Sequence, residues 1–207
     1  MSQNMESNQL SKLRMLGRKK EPLDTISFSV QDKIESEFLK QHIHFLTGEI
    51  EEHNITRAIQ WILYENNLSD KERTLQLFIN SPGGDLYQAF ALIDSMSWSK
   101  LPIRTIGLGT VMSAAFLIFA SGEKGERYIS KNCGIMCHQY TDFFEGKYHD
   151  LESYRKETEL CIQRMTNVLQ SATNLDAKGV KTKLLTPSDV WLTAEELVKL
   201  GAADHII

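Results

Sequence analysis

Apolar positions change their spacing several times along the chain, and each change marks a new element. "HIHFLTG" (42–48) carries the short apolar run of a strand. Ile55, Ala58, Ile59, Ile62 and Leu63 then recur at three and four, the period of one helix face. "TLQLFIN" (74–80) reads as a second strand, ending in the turn "SPGGD". Beyond it Leu86, Phe90, Leu92, Ile93 and Met96 mark the inward faces of another helix. "LPIRTIGLG" and "NCGIMCHQY" (132–140) read as two further strands. Between them, "RTIGLGTVMSAAFLIFASG" (104–122) predicts strand, glycine-bearing turn and a small, almost wholly apolar helix. Strand–helix alternation of this kind predicts an α/β fold, a parallel sheet layered with helices.

Residues 148–171 behave differently. Leu151, Tyr154, Thr158, Cys161, Met165 and Val168 form one narrow stripe on a helix about 36 Å long. Such a helix either bends over the sheet as part of the core or projects to meet a neighbouring subunit. Residues 1–24 carry Lys12, Arg14, Arg18, Lys19 and Lys20 among few large apolar groups. They are expected to be a flexible N-terminal arm, with residues 25–207 as a single domain.

Composition narrows the class. A chain of 207 residues buries roughly 70% of its unfolded surface, enough for its own core. A net charge of −4 offers no basic face for nucleic acid. Three cysteines, Cys133, Cys137 and Cys161, are too few for a disulfide framework. Cys133 and Cys137 lie about 13 Å apart if extended, too far to grip one zinc ion, so reduced thiols are expected. No apolar run approaches the roughly 20 residues a membrane helix needs, and the first twenty residues lack a secretion signal. A cytoplasmic protein is expected.

Four places could carry chemistry, each with a plain structural alternative. Ser113 stands where the small helix begins. It is either an N-cap or a nucleophile placed where a helix N-terminus stabilises an oxyanion. The usual hydrolase elbow G-x-S-x-G is absent around it. The paired glycines of "INSPGGD" (79–85) make either a simple strand-to-helix turn or an exposed amide at Gly84. That amide would be an oxyanion donor beside the amide of Ala114. His138, at the end of an apolar strand, is either structural or a general base. Asp189 in "TPSDVWLTAEEL" is either a turn residue or the carboxylate that orients a histidine.

Taken together these segments resemble the ClpP family, the proteolytic subunits of the Clp protease, from about Ile34 to Ile207. The resemblance is carried by "HFLTGEIEEHN", "LFINSPGGDLYQAFALIDSM", "ASGEKGERYISKN", "MCHQY" and "SDVWLTAEELVKLGAADHI". The separations agree as well: 113 − 84 = 29 residues from Gly84 to Ser113, and 138 − 113 = 25 from Ser113 to His138. The resemblance implies a crotonase-like fold of stacked βαβ units with a projecting handle helix at 148–171. It implies a serine endopeptidase with Ser113 as nucleophile, His138 as general base and Asp189 as the orienting carboxylate. The amides of Gly84 and Ala114 would form the oxyanion hole.

It further implies a homo-oligomer, a heptameric ring or two stacked rings enclosing a chamber. An AAA+ unfoldase of the ClpX or ClpA type would feed it unfolded protein substrates. No cofactor is implied, and ATP would be hydrolysed by that partner, since G-x-x-x-x-G-K-[ST] is absent from the chain.

Three places depart from the family pattern. Asp85 and Leu86 replace two apolar residues, and a carboxylate at 85 opposes a nearby oxyanion unless it turns to solvent. "HQYTDFFEG" replaces the proline and paired glycines that align substrate as an added strand. Ser188 replaces an arginine that pairs between rings, which implies a single ring or a weaker double one. These departures keep open a second reading, a catalytically weak structural or regulatory subunit assembling with active paralogues.

Overall fold

The computed structural model describes residues 29–68 and 72–207, so the expected arm at 1–24 lies outside the described residues. The chain divides after Glu37 into two units. In the first unit, residues 29–37 open helix α1 (Val30–Lys40). Its first turn is closed by Ser29 and Asp32, each donating a backbone N–H to the other's side chain at 2.8 and 3.1 Å.

Among the described residues, the second unit is built on a seven-stranded sheet in which only one pairing is antiparallel. Strands β1 (Ile43–Thr47), β2 (Leu75–Ser81), β3 (Ile103–Met112), β4 (Arg127–Ile129) and β7 (His205–Ile206) lie side by side in that order, all parallel. The long strand β3 changes partner along its length. Thr105–Gly107 pairs with β4, whereas Thr110–Met112 pairs with β5 (Gly134–Cys137). Strand β6 (Val190–Leu192) then closes antiparallel on β5.

Where β3 changes partner it bulges. Its register against β2 jumps from Ile79↔Gly107 to Ser81↔Val111, so two steps on β2 face four on β3. The Asn80 Oδ1 fills the gap by accepting from the Thr110 N–H at 3.0 Å and the Thr110 hydroxyl at 3.1 Å. The glycine-bearing turn expected within 104–122 is therefore a bulge inside one continuous strand. The left-handed Gly109 lets the extra residues loop out while Val111 returns to the core.

Helices α2 (Glu52–Asn67) and α3 (Leu86–Trp98) connect β1 to β2 and β2 to β3. Their buried positions follow the helical stripes read from the sequence: Ile55, Ala58 and Ile62 on α2, and Leu92, Ile93 and Met96 on α3. All seven residues of α4 (Ala114–Ala120) are buried, packed among β3, α3 and α5 (Tyr148–Ala172). Burial on every side is why this short helix is apolar all round.

Helix α5 has 25 residues, and its buried ones, Cys161, Met165, Thr166, Leu169 and Ala172, all lie in its second half. Residues 148–160 include no buried position, and Leu151 and Leu160 are 46% and 47% exposed. A helix bent over the core would bury both halves, so the first half of α5 projects. Helices α6 (Ala177–Lys183) and α7 (Ala194–Lys199) follow it, the latter started by a Thr193–Glu196 capping box.

One buried ion pair ties the far ends of these elements together. Arg127, 3% exposed, donates from Nε and Nη2 to Asp204 at 2.8 and 2.7 Å. Its Nη1 reaches the Ala172 carbonyl at 2.6 Å and the Ala120 carbonyl at 3.3 Å. Burial pushes the Asp204 carboxyl up, but the Arg127 guanidinium and two backbone N–H donors outweigh it and hold the net shift downward. A carboxyl depressed in the folded state adds stability above its unfolded pKa, and that stability is lost as pH falls through the folded value. The expected result is a melting temperature that drops between roughly pH 5 and pH 2, with a shallower drop in Asp204→Asn. Equal acid slopes for the two proteins would show that this pair is not the cause.

Candidate active site

Ser113 joins β3 to α4 with φ +53° and ψ −124°, a backbone conformation suited to glycine. It is held there from the sheet side. Its N–H donates to the Met136 carbonyl at 2.9 Å, continuing the β3–β5 ladder past Met112↔Met136. The same ladder delivers His138 just beyond the end of β5. His138 Nε2 lies 2.7 Å from Ser113 Oγ, and Nδ1 lies 2.6 Å from the Gln139 carbonyl oxygen. A carbonyl only accepts, so Nδ1 carries the ring proton and Nε2 accepts from the serine hydroxyl. The Ser113 side chain makes no cap hydrogen bond, which overturns its reading as an N-cap. The histidine in turn addresses that hydroxyl with Nε2.

The glycine turn sits against this pair. The Ile50 N–H donates to the Gly83 carbonyl at 2.7 Å, and the Asp85 N–H donates to the Ile50 carbonyl at 2.9 Å. That bridge uses the groups on either side of Gly84 and leaves its own N–H without an acceptor among the described residues. The Ala114 N–H, at the start of α4, is equally unengaged. Gly84, Ala114, Ser113 and His138 line one cleft of about 450 Å³. Gly83 and Gly84 have φ of +101° and +147°, and neither has room for a side chain. A Cβ on Gly83 would stand 2.6 Å from the Ser113 Cβ, and one on Gly84 would overlap the Ile50 carbonyl oxygen.

The two carboxylates expected near the site behave differently from the expectation. Asp85 lines the cleft, but its Oδ1 accepts from the Tyr87 and Gln88 N–H groups at 2.8 and 3.0 Å, capping α3. Asp189 is exposed at the entry to β6 and makes no hydrogen bond to His138 among the described residues. The β5–β6 ladder pairs Cys137 with Val190, so one further step sets Asp189 across from His138. The backbone thus brings the carboxylate opposite the imidazole while the hydrogen bond goes elsewhere. The Gln139 carbonyl, one residue along the chain, occupies Nδ1. Ser113, His138, Gly84 and Ala114 come together; Asp189 stays outside the cleft they line.

A sequence model of the Clp protease family matches residues 28–207. The chain belongs to the Clp protease family. The matched span covers every element of the second unit, and Ser113 and His138 both lie within it.

The rest of the cleft was not read from the sequence. Tyr87, Tyr140, Asp142, Tyr154, Glu157 and Met165 complete its walls, drawn from α3, the segment after β5 and the handle helix α5. The hydroxyls of Tyr140 and Tyr154 both donate to Asp142 Oδ2, at 2.9 and 2.8 Å. Tyr87 donates to Glu157 Oε1 at 2.5 Å, and the same oxygen accepts from the Cys161 thiol at 2.8 Å. The sequence signal for these walls was the changed segment "HQYTDFFEG" after His138, which holds Tyr140 and Asp142, together with the stripe bearing Tyr154 and Met165.

The cysteines offer no rival nucleophile. Burial pushes the Cys133 thiol up to about 11 and the Cys137 thiol up to about 12. Among the described residues no three His, Cys, Asp or Glu side chains gather as a metal site. No described helix is long and apolar enough to cross a membrane.

Proposed function

We propose that this chain is a serine endopeptidase that cuts unfolded polypeptides into short peptides. The observation that carries the reading is the 2.7 Å contact between Ser113 Oγ and the unprotonated Nε2 of His138, at the mouth of two unengaged amides. Ser113 Oγ attacks the substrate carbonyl carbon as its proton passes to His138 Nε2. The carbonyl oxygen, now anionic, is stabilised by the N–H groups of Gly84 and Ala114, a contribution of roughly 3–4 kcal/mol per donor. The C–N bond then breaks, and His138 returns the proton to the leaving amine. Water, deprotonated by the same nitrogen, cleaves the acyl-serine ester and regenerates the hydroxyl.

In this proposal Asp189 swings to His138 Nδ1 when the imidazolium forms, since it lies one ladder step away. The projecting half of α5 docks against copies of this chain, forming a heptameric ring or a stacked pair of rings around a chamber. An AAA+ unfoldase supplies unfolded chains and hydrolyses the ATP.

One observation favours a second reading. With Nδ1 held by the Gln139 carbonyl and Asp189 disengaged, the pair lacks the charge that stabilises an imidazolium. That suits a weak subunit that supports active paralogues. A single experiment separates the two: native mass spectrometry of the purified chain, followed by fluorophosphonate labelling and peptide cleavage on the assembled species. Rings that label at Ser113 and cut peptides support the peptidase. Assembly only with an active paralogue, and no labelling, supports the alternative.

A further inference from the structure

The register of β3 against β2 decides which residue meets the glycine turn, and that register changes beside Asn80. If the pairing that includes Ile79↔Gly107 ran on unbroken, Ser81 would face Gly109 and Gly83 would face Val111. The bulge adds two residues to β3. Ser81 therefore faces Val111, and two further steps along each chain bring Gly83 to Ser113. The two residues do meet, since a Cβ on Gly83 would stand 2.6 Å from the Ser113 Cβ. An insertion of two also keeps the alternation of faces, so Val111 stays fully buried. Beyond the bulge β5 takes over as neighbour, with Val111↔Ile135 and Met112↔Met136, and His138 follows at its end.

The looped-out residues are held by the Asn80 side chain. Gly109 is left-handed at φ +64°, and the Thr110 N–H, skipped by the β2 register, donates to Asn80 Oδ1 at 3.0 Å. The Thr110 hydroxyl donates to the same oxygen at 3.1 Å. The fit is close, because a Cβ on Gly109 would stand 2.6 Å from Asn80 Oδ1. The backbone of Asn80 is itself fixed in the sheet: it pairs with Thr47, and its carbonyl accepts from the Gly48 N–H at 3.1 Å. Neither Asn80 nor Thr110 lines the cleft.

We infer that Asn80 is a positioning residue for the nucleophile: its side-chain carbonyl locks the bulge and so holds Ser113 against Gly83 and His138. This rests on the peptidase reading above and adds to it a residue that acts through Thr110, three positions ahead of Ser113. What Asn80 supplies is an acceptor, since both bonds end on Oδ1. Aspartate has the same shape and accepts at the same place, whereas leucine matches the size and accepts nothing. Without the acceptor the Thr110 N–H turns to water and the two extra residues slacken. Ser113 then loses its alignment with imidazole and oxyanion donors, on which the rate of attack depends steeply.

The test compares full-length Asn80→Leu, Asn80→Asp and Thr110→Val with the wild type by peptide cleavage, fluorophosphonate labelling of Ser113 and thermal melts. Asn80→Leu should lower kcat and the labelling rate about tenfold or more, with KM within about twofold because the cleft walls are untouched. Asn80→Asp should restore both rates to within about threefold of the wild type. Thr110→Val keeps the N–H donor and loses the hydroxyl, and should lower both about threefold. A purely structural role would lower the melting temperature and leave kcat of the folded protein unchanged. Rates in Asn80→Leu within about twofold of the wild type, or an aspartate variant as slow as the leucine one, overturn the inference and leave the peptidase reading standing. A wild-type protein that neither labels nor cleaves overturns both. If Asn80→Leu does not fold, Thr110→Val decides, and an unchanged labelling rate there overturns the inference.

Discussion

Ser113→Ala is expected to remove peptide cleavage, lowering kcat/KM by about a thousandfold or more, while the fold survives. Among the described residues, the hydroxyl is the only group lining the cleft that is hydrogen-bonded to an imidazole nitrogen. Its loss costs the protein one half-buried hydrogen bond, about 1 kcal/mol. A companion variant separates chemistry from strain. Ser113→Gly also lacks the hydroxyl, but glycine reaches φ +53° and ψ −124° without the penalty that any side chain incurs there. Both variants should be inactive, and the glycine form should be the more stable by about 1 kcal/mol in urea melts. Residual activity in either variant would move the nucleophile elsewhere. Equal melts would show that the backbone at 113 stores no strain.

Gly83→Ala should be nearly as severe through a different route. The added methyl would stand 2.6 Å from the Ser113 Cβ, 2.9 Å from the Met112 carbonyl oxygen and 3.1 Å from the Ala114 nitrogen. Backbone and nucleophile, rather than the end of a flexible side chain, would have to move. The φ of +101° adds strain of its own. Stability should fall by about 2–4 kcal/mol, and cleavage by about a hundredfold or more, because the serine and the Ala114 amide shift together. Ser113 labelling by a fluorophosphonate at the wild-type rate would show that the turn does not brace the nucleophile.

The expectation about Asp85 has a simple resolution. A carboxylate beside an oxyanion is a liability, yet this one folds back to cap α3 and takes up two N–H groups. Its carboxylate still lines the cleft. The changed segment after His138 supplies Tyr140 and Asp142 to the same walls.

Local signals in the sequence were enough for the parallel α/β layering, the stripes on α2 and α3, and the reach of the long helix. Each depends on residues a few positions apart, whose spacing already dictates which face turns inward. The resemblance to ClpP, carried by runs in register, was enough for the family; it also named Ser113, His138, Gly84 and Ala114, which the fold gathers at one cleft. Strands β4, β6 and β7, of two or three residues, were illegible because so short a segment has no period and forms only against its neighbours. The bulge in β3 hid for a related reason. Glycines in sequence announce freedom of the backbone, and only the Asn80 side chain across the sheet shows that the strand continues.

Tertiary structure alone decided what each site residue touches. The Ser113 hydroxyl could cap a helix or meet an imidazole, and the β3–β5 register chose the imidazole by tying Ser113 to Met136. Whether His138 is held by Asp189 or by the carbonyl of Gln139 depends on distances across β5 and β6 that no local pattern encodes. The Tyr87–Glu157 hydrogen bond joins residues 70 positions apart, a contact that no local pattern encodes. Spacing along a chain determines faces; contacts between faces are set by the geometry with which the whole core closes.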